Sequence, residues 1–492
     1  MHYISTRNAE LRYTAAQAIE QGLSREGGLF LPEKLPRLPD LDLLSKMNYE
    51  QRAVAVMKLF LDEFSEEELA SYAAAAYGPA KFDCDAVAPV VTLEGETHML
   101  ELWHGPTCAF KDMALQMLPH LLTASMKKNG EDKTVCILVA TSGDTGKAAL
   151  EGFRDVDRTK IFVFYPKDGV SDIQQLQMVT QEGENVGVCS VVGNFDDAQT
   201  GVKRIFSDAE FRRVLLERGY VLSSANSINW GRVLPQIVYY VSAYCDLLAQ
   251  GNIRVGQKLN VCVPTGNFGN ILACYYAKQM GLPVGKLICA SNANNVLTDF
   301  LKTGVYDRNR PFYTTASPSM DILISSNLER LLYALTESDA EVRSYMDALN
   351  TTGRYEVSPA VLEQIRANFV SGCCSDEETL TAIGAVYQKT GYLMDTHTAV
   401  AYRVLKNYQT ETGDGTPAVI VSTASPFKFC DNVLKALGVA EQKQGTAILD
   451  QLSAVSGKNA PKPLASLAGK PVRFTQVTEK EQMLDVVEGM LR

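Results

Sequence analysis

The chain has 492 residues, of which 46% are hydrophobic and 21% charged, and it carries a formal net charge of −10. That length exceeds a single compact core, so two or three domains are expected, and the acidic balance argues against a nucleic-acid backbone as partner. No apolar run reaches the roughly 18 residues that suggest a membrane span, and Arg7, Glu10 and Arg12 stand where a signal-peptide core would lie, so a cytoplasmic soluble protein is expected.

Residues 1–95 hold turn clusters and amphipathic helices. Gly27 to Pro32 reads as a turn into an extended piece, and 66–76 as a helix. No cluster there carries chemistry, which predicts a separate N-terminal domain. Next comes Trp103-His104-Gly105-Pro106-Thr107-Cys108-Ala109-Phe110-Lys111-Asp112. Gly105-Pro106 is a turn signal, and Thr107 is a candidate cap for the helix behind it. Phe110, Met113, Ala114, Met117, Leu118 and Leu121 then form one apolar face. Lys111 falls beside that stripe in the first turn. The positive end of a helix and partial burial both disfavour an ammonium there. A lysine held partly neutral is what imine chemistry with an aldehyde cofactor requires. Adjacent Asp112 pulls the other way, and His104 reads as a turn-packing residue.

From about 130 the pattern becomes strand, turn, helix. Runs at 134–140, 160–165 and 186–192 form one series, and 259–263, 287–290 and 418–422 a second, each leading toward a helix. Ser171 with Gln174 predicts a capping box. The most apolar helix surrounds 237–248, and 300–416 reads as helical and polar without strand rhythm. The eleven cysteines stand mostly alone in apolar runs, with no CxxC pair. They read as reduced, buried small hydrophobes, and no metal site is expected.

Ligands of open α/β sheets sit beyond the C-terminal strand ends. Three such junctions are rich in small and hydroxyl residues. In Ala140-Thr141-Ser142-Gly143-Asp144-Thr145-Gly146-Lys147 the glycines and hydroxyls suit a carboxylate or phosphate, while Thr141 and Ala148 break a P-loop pattern. Pro264-Thr265-Gly266-Asn267-Phe268-Gly269-Asn270 opens a helix over 271–279 and suits a small phosphate, with Asn267 and Asn270 the side chains best placed to help. Ser422-Thr423-Ala424-Ser425-Pro426 offers a hydroxyl to a heterocyclic nitrogen. Each also admits a plain turn reading.

In their order along the chain, these motifs resemble the threonine synthase family, pyridoxal-phosphate enzymes of the tryptophan-synthase-β fold type. The carrying residues are His104 to Thr107 with Phe110 to Asp112, Thr141 to Gly146, Ser223 to Asn229, Thr265 to Asn270 and Ser422 to Phe429. Gly22-Leu23 and Gly28 to Pro32 resemble the N-terminal domain of the longer bacterial and fungal members. The resemblance implies two doubly wound α/β lobes behind an N-terminal domain, at 1–95, 96–225 and 226–492. It implies that Lys111 holds pyridoxal 5'-phosphate as a Schiff base. Gly266, Asn267, Phe268 and Gly269 would cradle the cofactor phosphate, Thr423 would face the pyridine nitrogen, and Asp144 would lie near the ring hydroxyl. Ser142, Gly143 and Thr145 would hold the substrate carboxylate. The implied substrate is O-phospho-L-homoserine, giving L-threonine and phosphate. Lys167, Asn226 and Ser227 are the candidates for holding the leaving phosphate.

Many relatives read Thr-Ala-His-Pro-Ala-Lys-Phe near the last strand, where this chain has Ser425 and Phe427. Cys108 stands where a larger aliphatic residue is common. Within the fold, a threonine or serine dehydratase or an amino-acid phospholyase is the alternative. A silent protein using the anion loops for a regulatory ligand is a different class, opposed by the retention of Lys111. A monomer or homodimer without nucleic-acid or membrane partners is expected.

Overall fold

The computed structural model describes residues 1–167 and 169–491, apart from the side chain of Asp196. Two largely parallel sheets carry the body of the molecule. The larger has six strands in the spatial order Phe369–Cys373, Val284–Ser291, Leu259–Pro264, Ala418–Ser422, Thr97–Glu101 and Val90–Glu94. Only its last pair runs antiparallel. The smaller orders Val477–Thr478, Val186–Val191, Thr159–Pro166, Thr134–Ala140 and Tyr220–Ser223, all parallel. A short antiparallel sheet of Asn8–Tyr13, Tyr3–Ser5 and Phe30–Pro32 belongs to the N-terminal segment.

Strands Leu259–Pro264 and Ala418–Ser422 are buried along their whole length. Helices cover both sheet faces, and this is why the strands read as apolar runs rather than alternating ones. Helix Trp230–Ala249 is buried at nearly every position. It packs between helix Tyr49–Lys58 of the N-terminal segment, the short helix Asp112–Leu115 and helix Gly269–Gln279. Its Trp230 ring lies 5.7 Å from both Tyr3 and Phe60, tying the N-terminal segment into the main core.

The apolar strands and the Ser171–Gln174 capping box form as predicted. Three features differ. The sheets do not follow consecutive blocks: Thr97–Glu101 lies in the larger sheet beside Ala418–Ser422, and Val477–Thr478 returns to the smaller one. Each places its few backbone groups on an open sheet edge or seam, a long-range pairing that local pattern does not carry. Strand Phe369–Cys373, inside the section read as helical, forms the outer edge of the larger sheet. The helix behind Lys111 is broken into Asp112–Leu115 and Leu118–Asn129. Pro119, which has no amide to donate, sits in the first turn of the second piece.

Among the described residues, no helix is long and apolar enough to cross a membrane, and no group of three or more His, Cys, Asp or Glu is poised for a metal.

Candidate active site

A cavity of about 1160 Å³ opens at the C-terminal ends of strands Leu259–Pro264, Ala418–Ser422 and Thr134–Ala140. Every expected site residue lines it except Gly143 and Lys167. Residues 20–25 and Gly27 form part of its wall, so the segment that showed no chemistry in sequence shapes the site.

Lys111 is buried, only 8% exposed, just ahead of helix Asp112–Leu115. Burial lowers its pKa to about 8, partly opposed by Asp144, whose Oδ2 lies 3.8 Å from Nζ. Asp112, its chain neighbour, is directed elsewhere. Its carboxylate accepts from the Thr107 amide and hydroxyl, both at 2.8 Å. Thr107 therefore does not cap this helix; it locks the turn through Asp112, whose own pKa burial raises to about 6. Thr423 is buried, and its carbonyl accepts from Phe110 N–H at 2.8 Å, which docks the lysine turn onto the last strand of the site.

Asp144 is the electrostatic centre of the cavity. Its Oδ1 lies 2.9 Å from Lys428 Nζ and accepts from Gln174 Nε2 at 2.8 Å. Burial alone would raise its pKa, but Lys428 and then Lys111 outweigh that and hold it below the usual carboxylate range. Lys428 lies inside the Ser422 to Phe429 motif, and the sequence alone points to no role for it. The sequence cue is a lone cation inside Pro426-Phe427-Lys428-Phe429-Cys430.

The loop after Leu259–Pro264 has the features of a phosphate cradle. Phe268 adopts a left-handed conformation (φ 63°) at the start of helix Gly269–Gln279, and no side chain caps that end. A Cβ on Gly266 would stand 2.8 Å from the Ser319 carbonyl oxygen, so the backbone there approaches as only glycine allows. Asn270 Oδ1 accepts from the Tyr239 hydroxyl at 2.7 Å and from Tyr240, while its buried Nδ2 has no partner among the described residues. A buried amide donor beside an uncapped helix start fits an anionic group.

In the loop after Thr134–Ala140, Ser142 and Thr145 present half-buried hydroxyls to the cavity. Gly143 does not join them. Its amide donates to Thr141 Oγ1 at 3.0 Å, and its φ of 128° brings it against Gln174, where a Cβ would lie 2.5 Å away. It shapes the loop and has no free donor for a ligand. Lys167 is exposed in the turn after Thr159–Pro166, outside the cavity wall. Asn226 and Ser227 do line it.

The cation that joins them is Arg232, which sequence reasoning missed. It lies in the first turn of Trp230–Ala249, is 3% exposed, and donates from Nη1 to the Ala225 carbonyl at 2.9 Å. Its Nε has no partner among the described residues, and burial lowers its pKa to about 10. A charge in so apolar a helix start was the available signal. His397 was also missed. Its Nδ1 lies 2.9 Å from Asp395 Oδ1, and its Nε2 accepts from Ser319 N–H at 3.1 Å, so it braces the cavity wall. His104 is a turn residue held between Asp83 and Glu101 at 2.7 and 2.9 Å. Ser425 and Phe427 face a separate cavity of about 450 Å³ and are not on this wall.

Residues 2–77 match the family described as threonine synthase N terminus, 98–424 the family described as pyridoxal-phosphate dependent enzyme, and 398–488 that described as threonine synthase, C-terminal. A human protein named threonine synthase-like 1 is 42% identical over 483 residues; the match takes in 94% of this chain and 64% of that relative's length. Threonine synthase of Pseudomonas aeruginosa is 40% identical, with 89% of this chain and 90% of that one covered. Two solved structures superpose closely. Pyridoxal-phosphate-bound threonine synthase from Brucella melitensis is 38% identical with a TM-score of 0.87, over the whole of both chains. The yeast enzyme is 34% identical with a TM-score of 0.88, covering 100% of this chain and 98% of that one.

Proposed function

This chain belongs to the threonine synthase family of pyridoxal-phosphate enzymes, and from that premise we propose that it converts O-phospho-L-homoserine and water to L-threonine and inorganic phosphate. The carrying observation is a buried lysine, its pKa lowered to about 8, in one cavity with two adjoining sets of donors suited to anions, Ser227 Cβ lying 3.6 Å from where a Cβ on Gly269 would stand. One region fits the cofactor phosphate: the uncapped start of Gly269–Gln279, with Gly266, Asn267, Phe268 and the unpartnered amide of Asn270. The other, formed by Asn226, Ser227 and Arg232, fits the phosphate of the substrate.

When bound, pyridoxal phosphate draws electrons from the α- and β-carbons of an attached amino acid and so acidifies their protons. The chain's own residues supply the rest. Thr423 would offer a neutral hydroxyl to the pyridine nitrogen, and Asp144 would lie by the ring hydroxyl. Ser142 and Thr145 hold the substrate carboxylate through hydroxyl donors. Lys111 accepts and returns protons at Nζ, a task suited to an amine that titrates near pH 8. Asn226, Ser227 and Arg232 grip the γ-phosphate, and the buried guanidinium stabilises negative charge as the Cγ–O bond breaks. Overall, a proton leaves Cβ and phosphate leaves Cγ with the electrons of the broken Cγ–O bond, a proton arrives at Cγ and the hydroxyl of water arrives at Cβ, while the Cα proton is removed and restored. The proton lost from Cβ and the second proton of water balance those taken up by Cγ and by the phosphate.

The test is incubation of the purified, cofactor-loaded chain with O-phospho-L-homoserine. Threonine and phosphate in equal amounts are expected, with no turnover by Lys111→Ala. Appearance of 2-oxobutyrate in place of threonine would replace this reading with a phospholyase.

A further inference from the structure

We infer that Lys428 is a positioning residue, a standing counter-ion for Asp144 that lets Lys111 change its charge without stranding a buried carboxylate. The inference rests on the reading above only in requiring that Lys111 bind the cofactor and lose its proton. Asp144 is 2% exposed and Lys428 is fully buried. The carboxylate lies between two lysines, 2.9 Å from Lys428 Nζ on Oδ1 and 3.8 Å from Lys111 Nζ on Oδ2. Its other neighbours, Gln174 Nε2 at 2.8 Å and Ser319 Oγ at 3.4 Å, are neutral and cannot balance its charge.

A lysine that forms a covalent bond to an aldehyde, or serves as a base, is not a constant cation. With Lys111 as its only partner, Asp144 would lose its counter-charge each time Lys111 became neutral, a costly state for a carboxylate shut away from water. Lys428 removes that cost because its geometry is fixed independently. Its Nζ also donates to the Thr107 carbonyl at 2.9 Å, and its own carbonyl accepts from Ser171 Oγ at 3.0 Å. It thus joins the loop after Ala418–Ser422 in the larger sheet to the start of helix Asp144–Phe153 on the smaller one. The other charges felt at Lys111 are Arg232 and Asp395, and Asp395 is already engaged by His397 and Thr398. Asp112, which also feels Lys428, is engaged by Thr107.

The experiment is a pH titration of the visible absorption band of the full chain loaded with pyridoxal phosphate, in wild type, Lys428→Met and the double variant Asp144→Asn/Lys428→Met. With Lys428 gone, Asp144 holds a proton on the Lys111 nitrogen. The midpoint of the single variant should rise by about one pH unit or more, a tenfold change in the proton equilibrium. The double variant, with no carboxylate left to balance, should return toward the wild-type midpoint. A folded Lys428→Met protein with an unmoved midpoint overturns the inference. If that variant does not fold, the double variant should, since the stranded charge is gone; a double variant equally unfolded also overturns it. Absence of any band in wild type would instead count against the cofactor reading itself.

Discussion

Asp112 follows Lys111 in the chain, yet its carboxylate faces Thr107, and the carboxylate that acts on the lysine comes from Asp144, 33 positions further on. At the scale of single residues the site works through such partnerships. Arg232 is the clearest case, because its Nε is buried without an acceptor among the described residues. A charge-assisted hydrogen bond contributes about 1.5–3 kcal/mol, so Arg232→Gln should raise KM for O-phospho-L-homoserine roughly 10- to 100-fold. Product inhibition by inorganic phosphate should weaken in parallel, while the visible band of the cofactor stays in place. Steady-state kinetics with and without added phosphate would measure both, and an unchanged KM would remove Arg232 from the substrate site.

Helix Asp144–Phe153 must bring Asp144 to Lys111, and it does so by lying directly on the short lysine helix. Gly152 is where the two backbones meet: a Cβ there would stand 2.0 Å from the Leu115 carbonyl oxygen. No rotamer relieves a clash with backbone, so one of the two helices has to move. Gly152→Ala should cost about 1–3 kcal/mol of stability, and it should also loosen cofactor binding, because the displaced elements carry Asp144 and Lys111. Urea unfolding together with cofactor titration tests this; a variant with wild-type values for both would mean that the contact is dispensable. The same logic explains the break between Leu115 and Leu118. The apolar stripe continues across it, but Pro119, with no amide to donate back to the first piece, sits in the first turn of a new helix.

At the scale of the molecule, both ends of the chain return to its centre. Tyr3 and Phe60 pack on Trp230, Arg7 pairs with Glu329 at 2.8 Å, and Arg330 Nε donates to the Phe30 carbonyl at 2.8 Å. Arg330 also donates to the carbonyls of Ser227 and Ile228, so the N-terminal segment braces the loop assigned to the substrate phosphate. The tail pairs with Val186–Val191 and lays helix Met483–Met490 on helix Phe195–Ser207. Because residues of the N-terminal segment share one hydrophobic cluster with the main body, they should unfold with it. Calorimetry of Trp230→Ala should show the N-terminal segment and the main body destabilised in one transition, by about 3–5 kcal/mol. A separate transition for the N-terminal segment would show that its core is its own.

The parallel α/β character, the strands at 134–140 and 418–422 and the Ser171 cap were all legible in the sequence, while Lys111 stood out only through its family resemblance. The strands and the cap depend on interactions within one element: apolar runs long enough for a strand covered on both faces, and a capping residue three positions from its partner. Which charges meet follows from the folding of distant segments onto one another. Lys428 and Asp144 lie 284 positions apart, Arg232 Nε has no partner among the described residues, the Gly143 amide donates within its own loop, and Lys167 is exposed outside the cavity wall. The strand Thr97–Glu101 likewise found its sheet through Ala418–Ser422. Pairings across hundreds of residues leave no local period in a chain, and electrostatics within a cavity depends on distance through space.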